Sequence, residues 1–263
     1  MIKVGPVGIG GVGEAVSNLG MYGEKGFGAC EIPFTYGVYF KEKHGEVIKK
    51  VRKKSLDLGI DLSIHGPYWI NLNSKKEEVI KKSKKRILKS ARVGEKLGAK
   101  RVVFHPGFYC GKGKEESYDN IREGIEEVKR RIEDRGWNIK LAPETTGKVN
   151  VFGNDEEILG LVKDTGCSLC IDFAHLLARS KGERSYVDMV ESFGDFKDIH
   201  AHFSGIDYGE KGEKKHISTP VEEIEKLFEA LPKDKNITLI SEDPNPVEGA
   251  TKIKEVKDKL KIS

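Results

Sequence analysis

The sequence has no apolar run long enough to cross a membrane, so no helical membrane-spanning segment is predicted. Its first residues, MIKVGPVGIGG, lack the apolar core of a signal peptide and begin with a strand-like pattern. Cysteines are also few, four among 263 residues, and in a chain without an export signal we expect them to stay reduced. These absences predict a cytoplasmic protein with no membrane partner.

The cysteines carry little evidence of metal or redox chemistry. Cys167 and Cys170 form a C-x-x-C, but they lie in the strand-like stretch GCSLCID and no second C-x-x-C exists. This pattern is typical of two small apolar residues in a strand. Charge is equally uninformative, because 46 basic and 42 acidic residues leave a formal net charge of +4. That excess is compatible with a polyanionic partner and too small to indicate one.

Short apolar runs alternate with longer amphipathic stretches along the whole chain. The predicted strands are 2–8, 28–32, 61–65, 100–105, 138–144, 168–172, 197–202 and 237–241. The clearest helix is predicted at 75–97, where Ile80, Ile87, Leu88 and Ala91 mark one apolar face and basic residues the solvated one. Eight strand–helix units in about 260 residues are what a barrel requires. We therefore predict an α/β protein, a (β/α)8 TIM barrel, as one domain over 1–263.

An open, doubly wound sheet would use the same alternation of elements. The stretch GIGGVG near the start would then be a dinucleotide-binding loop. No acidic residue is suitably placed at the end of the second predicted strand, so this alternative has little support.

Residues that can bind a metal stand at the ends of six consecutive predicted strands. They are His65, His105, Glu144, Asp172 with His175 three residues on, His202 and Glu242. In a parallel barrel all strand C-termini open onto one face, so these side chains converge. Burying so many carboxylates and imidazoles without a cation would be costly. Histidine and carboxylate ligands without cysteine suit Zn²⁺, Mn²⁺ or Fe²⁺, and we predict a metal centre at this face.

At these residues the sequence resembles the endonuclease IV family of apurinic/apyrimidinic endonucleases, within the xylose-isomerase-like barrel superfamily. The resemblance runs from about 60 to 245, and HGPYWINL at 65–72 is similar to the family's H-x-P-Y-x-I-N-L signature. Further matching segments are FHPG at 104–107, PETTG at 143–147 and CIDFAH at 170–175. The resemblance implies a metal-dependent enzyme that cleaves DNA 5′ to an abasic site through a metal-activated water.

The family's functional residues carry over by position. The resemblance implies His65 and His105 as ligands of a first metal, Glu144 as the bridge, Asp172, His202 and Glu242 at a second metal, and His175 and His216 at a third. It also implies that Glu144 helps to deprotonate the attacking water and that Tyr68 stacks in the gap of damaged double-stranded DNA. An aromatic packed under the barrel rim is the alternative for Tyr68. His200 is expected in the core, one layer below His202.

The chain departs from the family at the third metal. The family has an Asp-x-His pair where this sequence has Lys214 and His216, in a stretch that we interpret as a loop. A protonated lysine offers no lone pair, so we expect two firmly bound zinc ions and a weak or empty third position. A carboxylate from Asp207, Glu210 or Glu213 would restore the third position.

Two loops also differ from the family, and they leave the substrate open. PVGIGGVG lacks the family's histidine–serine stretch, and PFTYGVYF is aromatic where the family has an arginine. A metal-dependent sugar isomerase or epimerase on the same barrel is therefore the second hypothesis. A protein that binds damaged DNA without cutting it is the third. No obligate protein partner is evident from the sequence.

Overall fold

A computed structural model describes residues 1–194 and 196–262. The strands are β1 (Ile2–Pro6), β2 (Ala29–Pro33), β3 (Asp61–His65), β4 (Arg101–Phe104), β5 (Lys140–Pro143), β6 (Ile171–Asp172), β7 (Asp198–Phe203), β8 (Gly205–Gly209), β9 (Gly212–Ile217) and β10 (Asn236–Ser241). The helices are α1 (Ala15–Glu24), α2 (Gly45–Asp57), α3 (Glu77–Leu97), α4 (Lys114–Glu133), α5 (Asp155–Thr165), α6 (Phe173–Arg179), α7 (Tyr186–Ser192), α8 (Val221–Ala230) and α9 (Pro246–Lys259).

Eight of these strands close into a parallel barrel. They form two ladders, β1-β10-β7-β6 and β2-β3-β4-β5, in which every pair is parallel. Single bridges join the ladders on both sides, one between Val7 and Glu31 and one between Glu144 and Cys170. The predicted (β/α)8 barrel is thus confirmed, and the open doubly wound alternative is wrong. The predicted strands differ from the observed ones by at most three residues at either end.

The helix predicted at 75–97 is α3, and its packing shows how the barrel strands are held. Its buried side follows the 3.6-residue period through Ile87, Ala91 and Leu97. Gly94 lets α3 approach β3 closely, because a Cβ atom there would lie 2.9 Å from Cγ1 of Ile64. The helix ends at Gly98, whose φ of 78° is a left-handed cap. This contact holds β3, the strand that ends at His65, against α3.

The stretch after β7 is a β-hairpin, so its interpretation as a loop is wrong. β8 and β9 pair antiparallel beside the barrel mouth. The sequence of β9, GEKKHI, has almost no apolar residue, so hydrophobic alternation could not reveal the strand. The pairing passes from Asp207–Lys215 to Tyr208–Glu213, which leaves Lys214 as the extra residue of a β-bulge.

Two further observations concern the whole described chain. Cys167 and Cys170 are free and buried, as predicted for small apolar residues. Their placement in a strand is wrong for Cys167, because β6 begins at Ile171 and Cys170 makes only a single bridge, to Glu144. Among the helices within 1–194 and 196–262, none is both long and apolar enough to cross a membrane.

Candidate metal centre

All eight residues predicted as metal ligands gather at the carboxyl ends of the barrel strands. Their ligand atoms form three overlapping groups, each within 4.8 Å: His65, His105 and Glu144; Glu144, Asp172, His202 and Glu242; Asp172, His175 and His216. His65 and Asp172 end β3 and β6, and Glu144 and Glu242 directly follow β5 and β10. The groups share Glu144 and Asp172, so the arrangement has room for more than one cation.

Glu144 is the centre of the cluster and is fully buried. Its Oε2 lies 3.2 Å from Nε2 of His65 and 3.1 Å from Nε2 of His105, and its Oε1 lies 3.1 Å from Nδ1 of His202. Burial alone would raise the pKa of Glu144, but the charges of His105 and His202 hold it well below its usual range. An ionised carboxylate with imidazoles at both oxygens could supply a ligand atom to a cation on either side.

Asp172 has one oxygen left over for a cation. It is fully buried, and its Oδ1 accepts a hydrogen bond of 2.8 Å from the backbone N–H of His175, which caps α6. Its Oδ2 has no hydrogen-bond partner in the described part of the chain. In the absence of a metal its one close cationic neighbour among the described residues is the His175 ring, with Nδ1 at 3.2 Å. A buried carboxylate oxygen without a hydrogen bond is unfavourable, so a metal ligand role fits this residue.

Neighbouring oxygens fix three of the histidines so that Nε2 is free to bind a metal. Nδ1 of His65 lies 2.8 Å from the Gly66 carbonyl, and Nδ1 of His175 lies 2.9 Å from the Thr145 carbonyl. Nδ1 of His216 lies 2.5 Å from the Ser204 hydroxyl. The Ser204 hydroxyl donates to the Gly205 carbonyl, which leaves its oxygen to accept from His216. A ring nitrogen bound to such an acceptor is how proteins orient metal-binding histidines. The residues therefore fit a metal.

The carboxylates of this cluster raise the pKa values of two of the histidines. Burial lowers the pKa of His65, but the Glu144 hydrogen bond and charge raise it to about 9. Burial also lowers the pKa of His175, but the negative charges of Asp172 and Glu144 raise it to about 9. In the metal-free protein at neutral pH, both imidazoles therefore carry a proton and act as counter-ions to the carboxylates.

Next to the third group stands a carboxylate, that of Glu213, which the family resemblance did not assign. Nζ of Lys214 lies 3.6 Å from Asp207, and the lysine side chain is more than half exposed. Oε2 of Glu213 lies 3.7 Å from Nε2 of His175 instead. In a regular strand the side chains of residues 214 and 216 would lie on the same face of β9. Because Lys214 is the extra residue of the bulge, Glu213 and His216 share a face instead.

The other two carboxylates proposed for the third position lie elsewhere. Glu210 is exposed and pairs with Lys181 at 2.7 Å, and Asp207 faces Lys214. Gly147 admits Glu213, because a Cβ atom there would lie 2.6 Å from the Glu213 Cβ. The carboxylate of Glu213 therefore stands where the sequence suggested a lysine.

Glu31 is a buried acid of this centre that the sequence reasoning missed. It is fully buried in β2, and its Oε2 accepts hydrogen bonds from Ser63 at 2.7 Å and from His200 at 3.0 Å. Burial lowers the pKa of His200 to about 4, so this core histidine is neutral and donates from Nε2. His200 lies in the core, as expected. A lone acid near the end of the apolar strand ACEIP was the available signal, and the expectation that this strand has no suitably placed acid overlooked it.

A cleft of about 290 Å³ opens above the cluster. Tyr68 lines it with a half-exposed ring 5.8 Å from that of His65, so this tyrosine is not packed under the rim. Tyr36 contacts both Tyr68 and Trp69 edge to face, with ring centroids 6.2 and 6.1 Å apart. Three exposed aromatic rings thus stand at the mouth beside the metal-binding groups.

Sequence comparison places this architecture among known proteins. The profile of the xylose isomerase-like TIM barrel family matches residues 23–261. An uncharacterized protein of Methanocaldococcus jannaschii is 39% identical over 200 residues, which cover 72% of this chain and 71% of that protein. An apurinic-apyrimidinic endonuclease of Caenorhabditis elegans is 32% identical over 179 residues, 62% of this chain. The match spans only 44% of that enzyme's length.

Solved structures share the fold. Endonuclease IV from Thermus thermophilus matches with a TM-score of 0.72 at 20% identity, over 99% of this chain and 100% of that one. A D-tagatose 3-epimerase-like protein matches with a TM-score of 0.70 at 23% identity, over 99% and 97% of the two chains. The resemblance to endonuclease IV is confirmed, and the chain belongs to the xylose isomerase-like TIM barrel family.

Proposed function

We propose that this protein is a metal-dependent endonuclease that cleaves DNA on the 5′ side of abasic or otherwise damaged sites. The observation that carries the proposal is the pair of ligand groups on the two oxygens of Glu144. Zn²⁺ suits this set of imidazoles and carboxylates best, and Mn²⁺ and Fe²⁺ are compatible with it. The relatives named as abasic-site endonucleases support DNA as the substrate.

The proposed mechanism uses the cluster as an electrostatic and proton-accepting site. Divalent metals bound there would lower the pKa of an attacking water and stabilise negative charge on the phosphate. Glu144 stays ionised because of its histidine neighbours. Its place between the two ligand groups is what would bring its oxygens to the proton of the nucleophile. His65, His105 and His202 hold both of its oxygens in place. Lys148 lines the same cleft and offers a cation to a DNA phosphate.

Tyr68 is the proposed contact with the lesion. Its exposed ring stands at the cleft mouth, next to the ring of Tyr36. An aromatic ring stacks on any base, so it can occupy the gap that a missing base leaves in the duplex. Damaged double-stranded DNA is therefore the partner that we propose.

A nicking assay tests the proposal directly. A duplex with one tetrahydrofuran abasic analogue should be nicked 5′ to the analogue by the zinc-loaded protein. The same duplex with an intact base should remain uncut, and a chelator should stop the reaction. Absence of metal-dependent nicking at the analogue would refute the assigned activity.

A sugar isomerase or epimerase is the second candidate, and one observation favours it. Glu144, Asp172, His202 and Glu242 form a complete ligand set for a single metal at the base of a small cleft. One tightly bound divalent ion per chain would support this candidate, provided that the protein also interconverts ketohexoses and leaves the abasic duplex uncut.

The third metal position gives a prediction that depends on Glu213. We propose that two zinc ions bind firmly and that a third binds more weakly through His175, His216 and Glu213, because the Glu213 carboxylate is partly exposed. Glu213→Gln should weaken the third zinc at least about tenfold, since an amide is a poorer ligand than a carboxylate. Zinc content after dialysis against defined free zinc measures this effect.

Lys214→Ala is the matched control for the neighbouring residue. The lysine contacts Asp207 and points away from the cluster, so its removal should leave zinc content unchanged. The assignment of Glu213 is wrong if Lys214→Ala gains a tighter third zinc while Glu213→Gln retains wild-type content.

A further inference from the structure

Glu31 lies beside the metal cluster, with a carboxylate oxygen within 4.8 Å of ligand atoms of His65 and Glu242. The mechanism proposed above gives it no role. Its Oε1 is 3.0 Å from Nε2 of His202, off the line of a straight hydrogen bond. Neither atom has a hydrogen-bond partner among the residues that the structure describes. Both side chains are fully buried, and Oε1 of Glu31 is the carboxylate oxygen that Nε2 of His202 faces. The Cys170 thiol is a further polar group near this histidine.

His202 presents a different nitrogen to the cluster from the other constrained histidines. His65, His175 and His216 leave Nε2 free, whereas Nδ1 of His202 faces Oε1 of Glu144 at 3.1 Å and Oε1 of Glu242 at 3.4 Å. For Nδ1 to bind a metal, the proton of the neutral ring must be on Nε2. The acceptor for that proton is then Glu31.

The acceptor is also different in kind. The other three histidines have a carbonyl or hydroxyl oxygen at Nδ1, and at His175 Oδ2 of the predicted ligand Asp172 also lies 3.2 Å away. Nε2 of His202 instead faces a carboxylate that is not one of the predicted ligands. A carboxylate fixes the tautomer more strongly and makes the ring a better metal ligand. The charge is held in the core because Ser63 and His200 both donate to the other oxygen, Oε2.

We propose that Glu31 is a positioning residue that fixes His202 in the Nε2–H tautomer and so directs the Nδ1 lone pair to the second metal position. The inference rests on the metal centre of the proposed function and is independent of its substrate. Zinc affinity and the protonated nitrogen of His202 are its readouts, and neither requires DNA cleavage.

The contacts of Glu31 make Glu31→Gln a specific test. Ser63 and His200 both donate at the Oε2 position, so the glutamine carbonyl oxygen should take that place. Its NH₂ group would then face Nε2 of His202 and force that nitrogen to accept. Nδ1 would carry the proton and lose its lone pair for the metal. We therefore expect zinc at one position to bind about 10- to 100-fold more weakly in this variant.

Competition titration with a chromogenic chelator measures the zinc affinity of the full chain. Ser63→Ala is the matched control, because it removes one donor to Glu31 and keeps the carboxylate beside His202. It should weaken zinc binding less than Glu31→Gln does. Equal zinc affinity in Glu31→Gln and wild type would overturn the proposal. The proposal would also be overturned if metal-free Glu31→Gln had a lower melting temperature than wild type but bound zinc with unchanged affinity, because Glu31 would then have only a structural role.

A measurement on the wild type covers the case in which Glu31→Gln does not fold. Long-range ¹H–¹⁵N spectra of the zinc-loaded protein, with His202 assigned by its loss in His202→Gln, show which ring nitrogen carries the proton. Nε2–H is expected, and Nδ1–H would overturn the proposal. A wild type that binds zinc with Nε2–H but leaves abasic DNA uncut would refute the endonuclease and leave the role of Glu31 standing.

Discussion

Glu144→Gln is expected to slow abasic-site cleavage at least about a thousandfold, which corresponds to roughly 4 kcal/mol of transition-state stabilisation. The glutamine amide has one oxygen, whereas the carboxylate uses Oε2 towards His65 and His105 and Oε1 towards His202. One of the two ligand groups therefore loses its shared atom, and the proton acceptor for the nucleophile is lost as well. Single-turnover cleavage at saturating zinc measures the rate, and elemental analysis measures the metal content.

The control for this substitution is a carboxylate at the other end of the barrel. Oε2 of Glu95 accepts backbone hydrogen bonds from Asn138 at 2.9 Å and Ile139 at 3.1 Å, next to the start of β5. Glu95→Gln should leave both the cleavage rate and the zinc content unchanged. A Glu144→Gln protein that cleaves within tenfold of wild type, or that holds wild-type zinc, would show that Glu144 does not bridge the two groups.

The face that gathers the candidate ligands could be predicted from the sequence because the repeat of the fold determines it. Each strand of a parallel barrel ends at the same face, so a list of strand ends is also a list of neighbours. His65, His105, Glu144, Asp172 and His202 were found in this way. Their division into separate metal positions came from the family resemblance, and the order of the strands predicts only that they lie close together.

Which of Asp207, Glu210 and Glu213 faces the proposed third position could not be predicted, because the answer depends on a change of register. The two-residue period of a strand predicts Lys214 on the face of His216, and a single extra residue in β9 reverses this. The sequence GEKKHI does not indicate which residue is extra. The choice between Glu213 and Lys214 followed from the pairing of β9 with β8.

Glu31 was missed for a different physical reason. It lies 169 residues from His200, and β2 and β7 belong to different ladders of the barrel. The side chains of β2 and β7 meet inside the barrel only because the barrel is closed. A single acid within a short apolar strand signals a special residue, but its partners become evident only from the packed barrel.

Removal of the metals is expected to destabilise the protein, and more so as the pH rises. Without metals, the buried carboxylates Glu144 and Asp172 depend on protonated histidines for neutralisation. The pKa of His65 and that of His175 are about 9 in the metal-free fold, against 6.5 for an unperturbed histidine. Each of these raised pKa values contributes stability that is complete below pH 6.5 and is lost as the pH rises through 9.

The pH dependence of the metal-loaded protein should differ, because bound metals replace the protons as counter-ions and their affinity rises as the histidines deprotonate. Each histidine shift corresponds to about 3 kcal/mol, so the gap in Tm between loaded and stripped protein should widen by about 10 °C between pH 6.5 and 9.5. Thermal unfolding with zinc or with a chelator measures the gap, and Glu144→Gln should reduce its pH dependence because it removes the carboxylate that raises the pKa of His65. A gap that stays constant over this range would contradict the proposal that metals and protons compete for the same imidazoles.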